Sequence, residues 1–286
     1  MVLTIILLLC SVMFGIFQTD SSGSSKVTGT RRSEPVRADP FRVNVDSIQA
    51  MMTLFCAKMG IGKGFLAKRP EELKIWAAAA HHERIANPNP FVCEIGFAVG
   101  FSALTILSQH PTASYIGFDT GGLKDTRPAA EELQVLYPDR LRMFWGDSST
   151  NILKLAEDPD NDIRCDVWII DGDHSYVGAQ KDIEAVVSTA DRLTADYPNN
   201  LVLWDDVPLD PVAVKKTPPE FVVDPASDTP GKPFCCRESA AVLIETMQNG
   251  KVEFIDFGFE KNGFGKHISW AVTSLYTERV GNTKKD

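Results

Sequence analysis

Between residues 91 and 204 the chain alternates short apolar runs with longer amphipathic stretches. Phe91 to Ile95, Ser114 to Phe118, Leu141 to Trp145, Asp166 to Ile170 and Leu201 to Trp204 are compact and β-prone, and are predicted as strands. The stretches between them, Ser102 to His110, Ala129 to Tyr137, Ser149 to Ala156 and Val177 to Ala190, are predicted as helices. Strands separated by helical lengths indicate a parallel sheet wound with helices on both faces. Val167-Trp168-Ile169-Ile170 and Leu201-Val202-Leu203-Trp204 have no polar alternation, the pattern of strands buried on both sides.

The flanks break this rhythm. Upstream, a helix is predicted from Val45 to Met59. A second begins at Pro70, where proline and Glu71-Glu72 favour a helix N-terminus, and Asn87-Pro88-Asn89-Pro90 ends it. Downstream, a helix from Arg237 to Met247 precedes strands at Val252 to Phe259 and His267 to Leu275, with Lys261-Asn262-Gly263 as a hairpin turn signal. The expected fold is therefore α/β: a doubly wound, mostly parallel seven-stranded sheet ending in an antiparallel hairpin, with extra N-terminal helices. The segment 208–236 has no clear period and reads as an insertion. Residues 19–43 are too poor in apolar side chains to form a core and read as a disordered linker before a domain spanning 44–280. Residues 1–18, apolar and uncharged from Val2 to Phe17, read as a signal peptide or membrane anchor. That reading places the protein in the secretory pathway or on a membrane.

Composition adds constraints. The 286 residues carry a net charge of −9, which argues against a nucleic-acid backbone as partner and favours small molecules. A homo-oligomer remains open. The six cysteines show no CxxC or Cys/His zinc spacing. They read as buried thiols, with at most one disulfide, from the neighbours Cys235 and Cys236. No Asn-x-Ser/Thr sequon is present.

The chemistry sits at predicted strand ends, where ligands bind in open parallel sheets. The first strand runs into Glu94-Ile95-Gly96-Phe97-Ala98-Val99-Gly100-Phe101-Ser102, whose glycines permit a tight turn and close ligand approach. The pyrophosphate pattern Gly-x-Gly-x-x-Gly is missing, and an acidic residue before the first glycine suits a cationic ligand such as S-adenosylmethionine. Asp119 closes the second strand, where a carboxylate can hold ribose hydroxyls. Gly146-Asp147-Ser148 follows the third and can pair with an adenine edge or cap a helix. Asp171-Gly172-Asp173-His174 and Asp205-Asp206 follow the fourth and fifth strands, and collected carboxylates can hold Mg²⁺ or Ca²⁺. Asp173 reads as a cap for the helix starting near Tyr176, and His81 and His82 as surface residues on a helix. Trp168 and Trp204 read as strand core, and Phe264 as a pocket lid.

Glu-x-Gly-x-x-x-Gly, Asp119, Gly-Asp-Ser, Ile-Asp-Gly-Asp-His-Ser-Tyr and Trp-Asp-Asp-Val, in that order, resemble the Rossmann-like class I S-adenosylmethionine-dependent methyltransferases. More narrowly they resemble the branch with the metal-dependent catechol and caffeoyl-CoA O-methyltransferases and the macrocin-type sugar O-methyltransferases. The likeness covers about Phe91 to Leu275. It implies that Glu94, Gly96, Gly100 and Ser102 meet the methionine end of the cofactor, Asp119 its ribose, and Gly146, Asp147 and Ser148 its adenine, with Asp171 on the same wall. It also implies a divalent cation, Mg²⁺, on Asp171, Asp205 and Asp206. His174 stands where catechol-type relatives carry a lysine base, as in the sugar-modifying relatives. A histidine, with an ordinary pKa of about 6.5, can take the proton of an acceptor hydroxyl. The expected activity is O-methylation of a hydroxylated small molecule, a sugar or phenol. Alternatives are a metal-independent methyltransferase with His174 as base, or a non-catalytic binding protein of the same fold. Pro198-Asn199-Asn200 departs from the Gly-Gly that many relatives carry before the fifth strand.

Overall fold

The architecture comes from a computed structural model, which describes residues 45–61, 70–209, 214, 220–222, 228–229, 232–233, 236–261 and 267–276. These residues belong to the unit Pro40–Asp286. The expected leader, linker, most of the insertion and Phe264 lie outside them. Among the described residues no helix is long and apolar enough to cross a membrane.

Helices α1 (Val45–Met59) and α2 (Pro70–Ala79) precede β1 (Phe91–Ile95). Then follow α3 (Phe101–Gln109), β2 (Ser114–Asp119), α4 (Thr126–Leu136), β3 (Leu141–Trp145), α5 (Ser148–Glu157), β4 (Cys165–Ile170), α6 (Tyr176–Ser188), the short α7 (Ala190–Leu193) and β5 (Leu201–Trp204). The chain ends with α8 (Arg237–Gln248), β6 (Val252–Lys261) and β7 (His267–Leu275). A two-residue ribbon, Asp228–Thr229 against Lys232–Pro233, lies in the insertion.

The sheet has seven strands in the order β3-β2-β1-β4-β5-β7-β6, parallel from β3 to β5 and antiparallel through β7 and β6. The expected seven-stranded, doubly wound sheet with its closing hairpin is borne out. The pleat explains the two cores, because successive side chains point to opposite faces. Val92, Tyr115, Val167, Ile169, Leu201 and Leu203 face a layer built from α1, α2, α3 and α4, including Met52, Trp76 and Leu104. Cys93, Ile95, Phe118, Trp168, Ile170, Val202 and Trp204 face α5, α6 and α8, including Ile152, Ile183 and Leu243. Trp168 and Trp204 are core, as expected, and their ring N–H groups donate to Thr194 Oγ1 at 2.9 Å and Thr273 Oγ1 at 3.0 Å.

Some expectations are corrected. Helix α2 stops at Ala79 rather than running to Asn87, because the chain leaves it in successive turns closed by His81 N–H to Ala78 O and His82 N–H to Ala79 O. His81 and His82 are therefore half-buried and off the helix, and the His81 ring stacks on His110 with centroids 4.2 Å apart. Lys261, expected in the hairpin turn, still pairs with His267, so the connection is 262–266, outside the described residues. Asn200, in the departure before β5, is fully buried. Its side chain donates to Ala195 O at 2.9 Å and accepts from Leu275 N–H at 2.8 Å, which ties the start of β5 to the end of β7.

Cys93 and Cys165, expected as separate thiols, form a disulfide between the adjacent strands β1 and β4, with Cα atoms 5.7 Å apart. Both are fully buried on the α5–α6 face. Cys236 is also disulfide-bonded. The Cys93–Cys165 bond closes a long loop, with a sequence separation of 72, and restricts the unfolded chain. Replacing both cysteines by alanine is expected to lower the free energy of unfolding by about 3 kcal/mol, read from non-reducing urea melts. Identical midpoints for variant and wild type would rule out a stabilising cross-link.

Candidate active site

Strands β1 to β5 deliver their carboxyl ends to one edge of the sheet, and a cavity of about 600 Å³ opens there. Its wall includes Gly96, Asp119, Gly146, Asp147, Ser148, Asp171 and His174. Five carboxylates line it, Asp119, Asp147, Asp171, Asp173 and Asp182, against one lysine, Lys181. That surplus of negative charge suits a cationic ligand and disfavours a pyrophosphate.

The loop after β1 is shaped by close backbone approach. Gly96 has φ +94°, and a Cβ there would lie 1.9 Å from the Asp171 carbonyl oxygen. Only glycine lets the β1 and β4 loops pass at this distance. Asp119 pins the same region, accepting from Ala98 N–H at 3.0 Å and Gly121 N–H at 2.6 Å. Gly146 N–H donates to Asp119 O at 2.9 Å and brings the β3 loop alongside.

Glu94, Gly100 and Ser102 are not among the residues lining the cavity. The pleat turns Glu94 to the face opposite Cys93 and Ile95, toward α3, where it is 1 % exposed and accepts the Ser102 hydroxyl. Tyr115 O–H in turn donates to Ser102 Oγ at 3.2 Å. Glu94 Oε2 is buried without a hydrogen-bond partner. Burial pushes the Glu94 carboxyl up to about 7, against the opposing bonds from Ser102 and Tyr115. Gly100 takes φ +72° at the start of α3, where a Cβ would meet the Phe97 ring at 2.5 Å. These three residues shape the loop from behind.

Asp147 and Ser148 line the cavity, with their side chains engaged locally. Asp147 is the N-cap of α5: it accepts from Thr150 N–H at 2.8 Å and Ser149 O–H at 2.7 Å. Hydrogen bonds from Thr150 and Ser149 hold its carboxyl down at about 2. Of the two roles the sequence allowed, capping is therefore present without a ligand. The Ser148 hydroxyl donates to Asp182 Oδ1. Asp182, on α6, is missing from the sequence reading, yet it lies on the wall at 5 % exposure. Burial raises its carboxyl to about 6. The available signal was an acidic residue on the apolar stripe Ala179, Ile183, Val186.

Asp171, Asp205 and Asp206 come together, with one carboxylate oxygen of each within 4.8 Å of the others. Asp205 is buried, Asp206 sits at φ +50°, and Asp206 N–H donates to Asp205 Oδ1 at 2.8 Å. His174 Nε2 lies 3.5 Å from Asp171 Oδ1. Cys236 Sγ falls within 4.8 Å of ligand atoms of His174 and Asp206, but a disulfide sulfur offers no thiolate to a metal. Helix α8 holds the base loop from outside: Ser239 O–H donates to His174 O at 3.3 Å, and Glu238 accepts from Tyr176 N–H at 2.6 Å. The expected cap by Asp173 is corrected, since Ser175 is the N-cap of α6 and accepts from Gly178 N–H at 3.1 Å. Asp173 instead accepts from Ser175 N–H at 2.9 Å, because it stands two residues before the cap position.

Residues 93–207 match the family model described as a methyltransferase domain. None of the curated proteins matches the chain. An O-methyltransferase from Bacillus cereus solved with SAH superposes with TM-score 0.54 and 11 % identity, over 80 % of this chain and 91 % of that one. The O-methyltransferase TomG from Streptomyces achromogenes, involved in tomaymycin synthesis and solved with SAM, gives TM-score 0.51 and 15 % identity over 82 % and 92 %. At such identities the likeness is one of fold. Residues 93–207 thus match a methyltransferase domain, and the solved structures share the fold.

The raised Glu94 carboxyl has a consequence for stability. The folded state holds this proton more tightly than the unfolded chain, so its contribution is full below about 4.5 and is lost as pH rises through about 7. The total is ~3 kcal/mol for a shift of that size. In Glu94→Gln this component disappears. The difference in unfolding free energy between variant and wild type is expected to change between pH 4.5 and 7 and to level off above, as read by denaturant titrations across pH.

Proposed function

We propose that this chain is a metal-assisted O-methyltransferase that transfers the methyl group of S-adenosylmethionine to a hydroxyl of a small molecule, a sugar or phenol. The observation that carries the reading is the convergence of Asp171, Asp205 and Asp206, with Asp171 beside His174 and both of these on the wall of the cavity that Gly96, Asp119 and Ser148 also line. The donor set fits both absent groups. Three carboxylates within 4.8 Å of one another are hard oxygen ligands of the kind Mg²⁺ takes, together with waters and substrate. An acidic wall fits a cofactor carrying a sulfonium and an ammonium.

When bound, S-adenosylmethionine supplies an electrophilic methyl group and the cation supplies charge that eases ionisation of a hydroxyl. The protein's own groups do the rest. Gly96 lets the backbone lie against the methionine end, and Asp119 is placed at the end of β2 to meet the ribose. His174 takes the acceptor proton on Nε2, and the Asp171 carboxylate, with Oδ1 3.5 Å away, stabilises the imidazolium so formed. Enclosure at the strand ends holds acceptor oxygen and methyl carbon in near-attack geometry, and much of the acceleration comes from that positioning. The methyl–sulfur bond breaks with its electron pair left on sulfur, and the new carbon–oxygen bond forms from an oxygen lone pair.

The location we propose is the secretory pathway or a membrane surface. The apolar, uncharged stretch Val2 to Phe17 supports it, and so do a buried disulfide and a disulfide-bonded Cys236, since such bonds persist in oxidising compartments.

A screen of sugars and phenols with methyl-labelled S-adenosylmethionine, with and without Mg²⁺, tests cofactor, metal and acceptor together. His174→Gln is expected to lower kcat by roughly 10² to 10⁴-fold with cofactor affinity retained. Chelation and Asp206→Ala are each expected to abolish turnover. Full activity after both would sink the metal, leaving His174 alone as base. Absence of S-adenosylmethionine binding by calorimetry would sink the enzyme reading.

A further inference from the structure

We infer that Asp182 is a positioning residue that couples the cofactor's adenine side to the loop carrying the base, by holding the β3–α5 and β4–α6 loops with a single carboxylate. The inference rests on the reading that this cavity takes S-adenosylmethionine. Asp182 reaches both loops from the buried face of α6. Its Oδ1 accepts the hydroxyl of Ser148, the first residue of α5, and the backbone N–H of Asp173 donates to the same side chain. Its Oδ2 lies so close to Gly172 that a Cβ there would sit 2.7 Å away. Thus one carboxylate fixes Ser148 on one side and the Gly172-Asp173 backbone on the other. Asp171 and His174 flank that backbone.

The chemistry of the position argues against a merely structural bond. The carboxylate is nearly inaccessible, lies near Asp147 and Asp173, and is costly to keep ionised without a counter-charge. An asparagine would make the same two contacts more cheaply, accepting from Asp173 N–H and donating to Ser148 Oγ. A buried negative charge there is favoured once a cationic ligand enters the cavity, because the ligand's charge offsets it. Occupancy at Ser148 and geometry at 171–174 then become linked through one side chain, as two sites biased by one element.

The test uses the full chain with Asp182→Leu, Asp182→Asn and Ser148→Ala. Asp182→Leu is expected to weaken S-adenosylmethionine binding by about tenfold or more in calorimetry, and to lower kcat beyond what saturating cofactor restores. Asp182→Asn, which keeps both hydrogen bonds and loses only the charge, is expected to bind S-adenosylmethionine more weakly than wild type but less weakly than Asp182→Leu. Amide hydrogen exchange across 171–176, measured without ligand, is expected to quicken in Asp182→Leu and Ser148→Ala but not in Asp182→Asn. A folded Asp182→Leu protein with wild-type cofactor affinity, kcat and exchange would overturn the inference. If that variant does not fold, wild-type exchange and affinity in Ser148→Ala overturn it instead. The exchange readout is independent of the cofactor, so failure of wild-type binding would count against the functional reading and leave the loop coupling to be decided by exchange.

Discussion

The site depends on how closely β1 and β4 approach where the sheet reverses its winding. Strands to one side of this pair run β1, β2, β3, and those to the other run β4, β5, so the loops after β1 and β4 leave on opposite sides of the sheet and open a crevice between them. Asp171 N–H donates to Ile95 O at 2.9 Å, and the Gly96 α-carbon faces the Asp171 carbonyl at a distance no side chain allows. The loops after β1 and β4 are thereby held edge to edge. The loops after β2, β3 and β5 open at the same edge, because β2 and β5 run in parallel register with β1 and β4, and β3 with β2.

Electrostatics then sets the character of the crevice. Carboxylates gather at five strand ends, and they are handled in different ways. Asp147 is stabilised by donors from the first turn of its helix and costs little. Glu94 and Asp182 are buried, and their charged forms are disfavoured. Asp171, Asp205 and Asp206 each place a carboxylate oxygen within 4.8 Å of the other two.

Most of the fold was legible because its signals are local. Val167 to Ile170 and Leu201 to Trp204 have strand length and no polar alternation, and both are strands within a residue or two of expectation. Helix starts drifted where capping decides: α4 begins at Thr126 rather than Ala129, since Pro128 lacks only an amide that the first turn leaves unpaired anyway. The strand-end acids were legible as a set. What the sequence hid was orientation and long-range pairing. That the pleat buries Glu94 against Ser102, and that α6 packs Asp182 inward, follows from tertiary packing and not from their local sequence. The Cys93–Cys165 bond joins residues 72 apart that nothing in their spacing links.

That bond has a consequence for how the molecule comes apart. The covalent ring it closes runs from β1 through α3, β2, α4, β3 and α5 to the start of β4. A protease that cuts any exposed turn inside this ring, such as the one around Gly122 and Leu123, produces a nicked chain and not two separable fragments. A cut beyond Cys165 falls outside this ring, so the Cys93–Cys165 bond does not hold the half that supplies Asp171, His174 and Asp205.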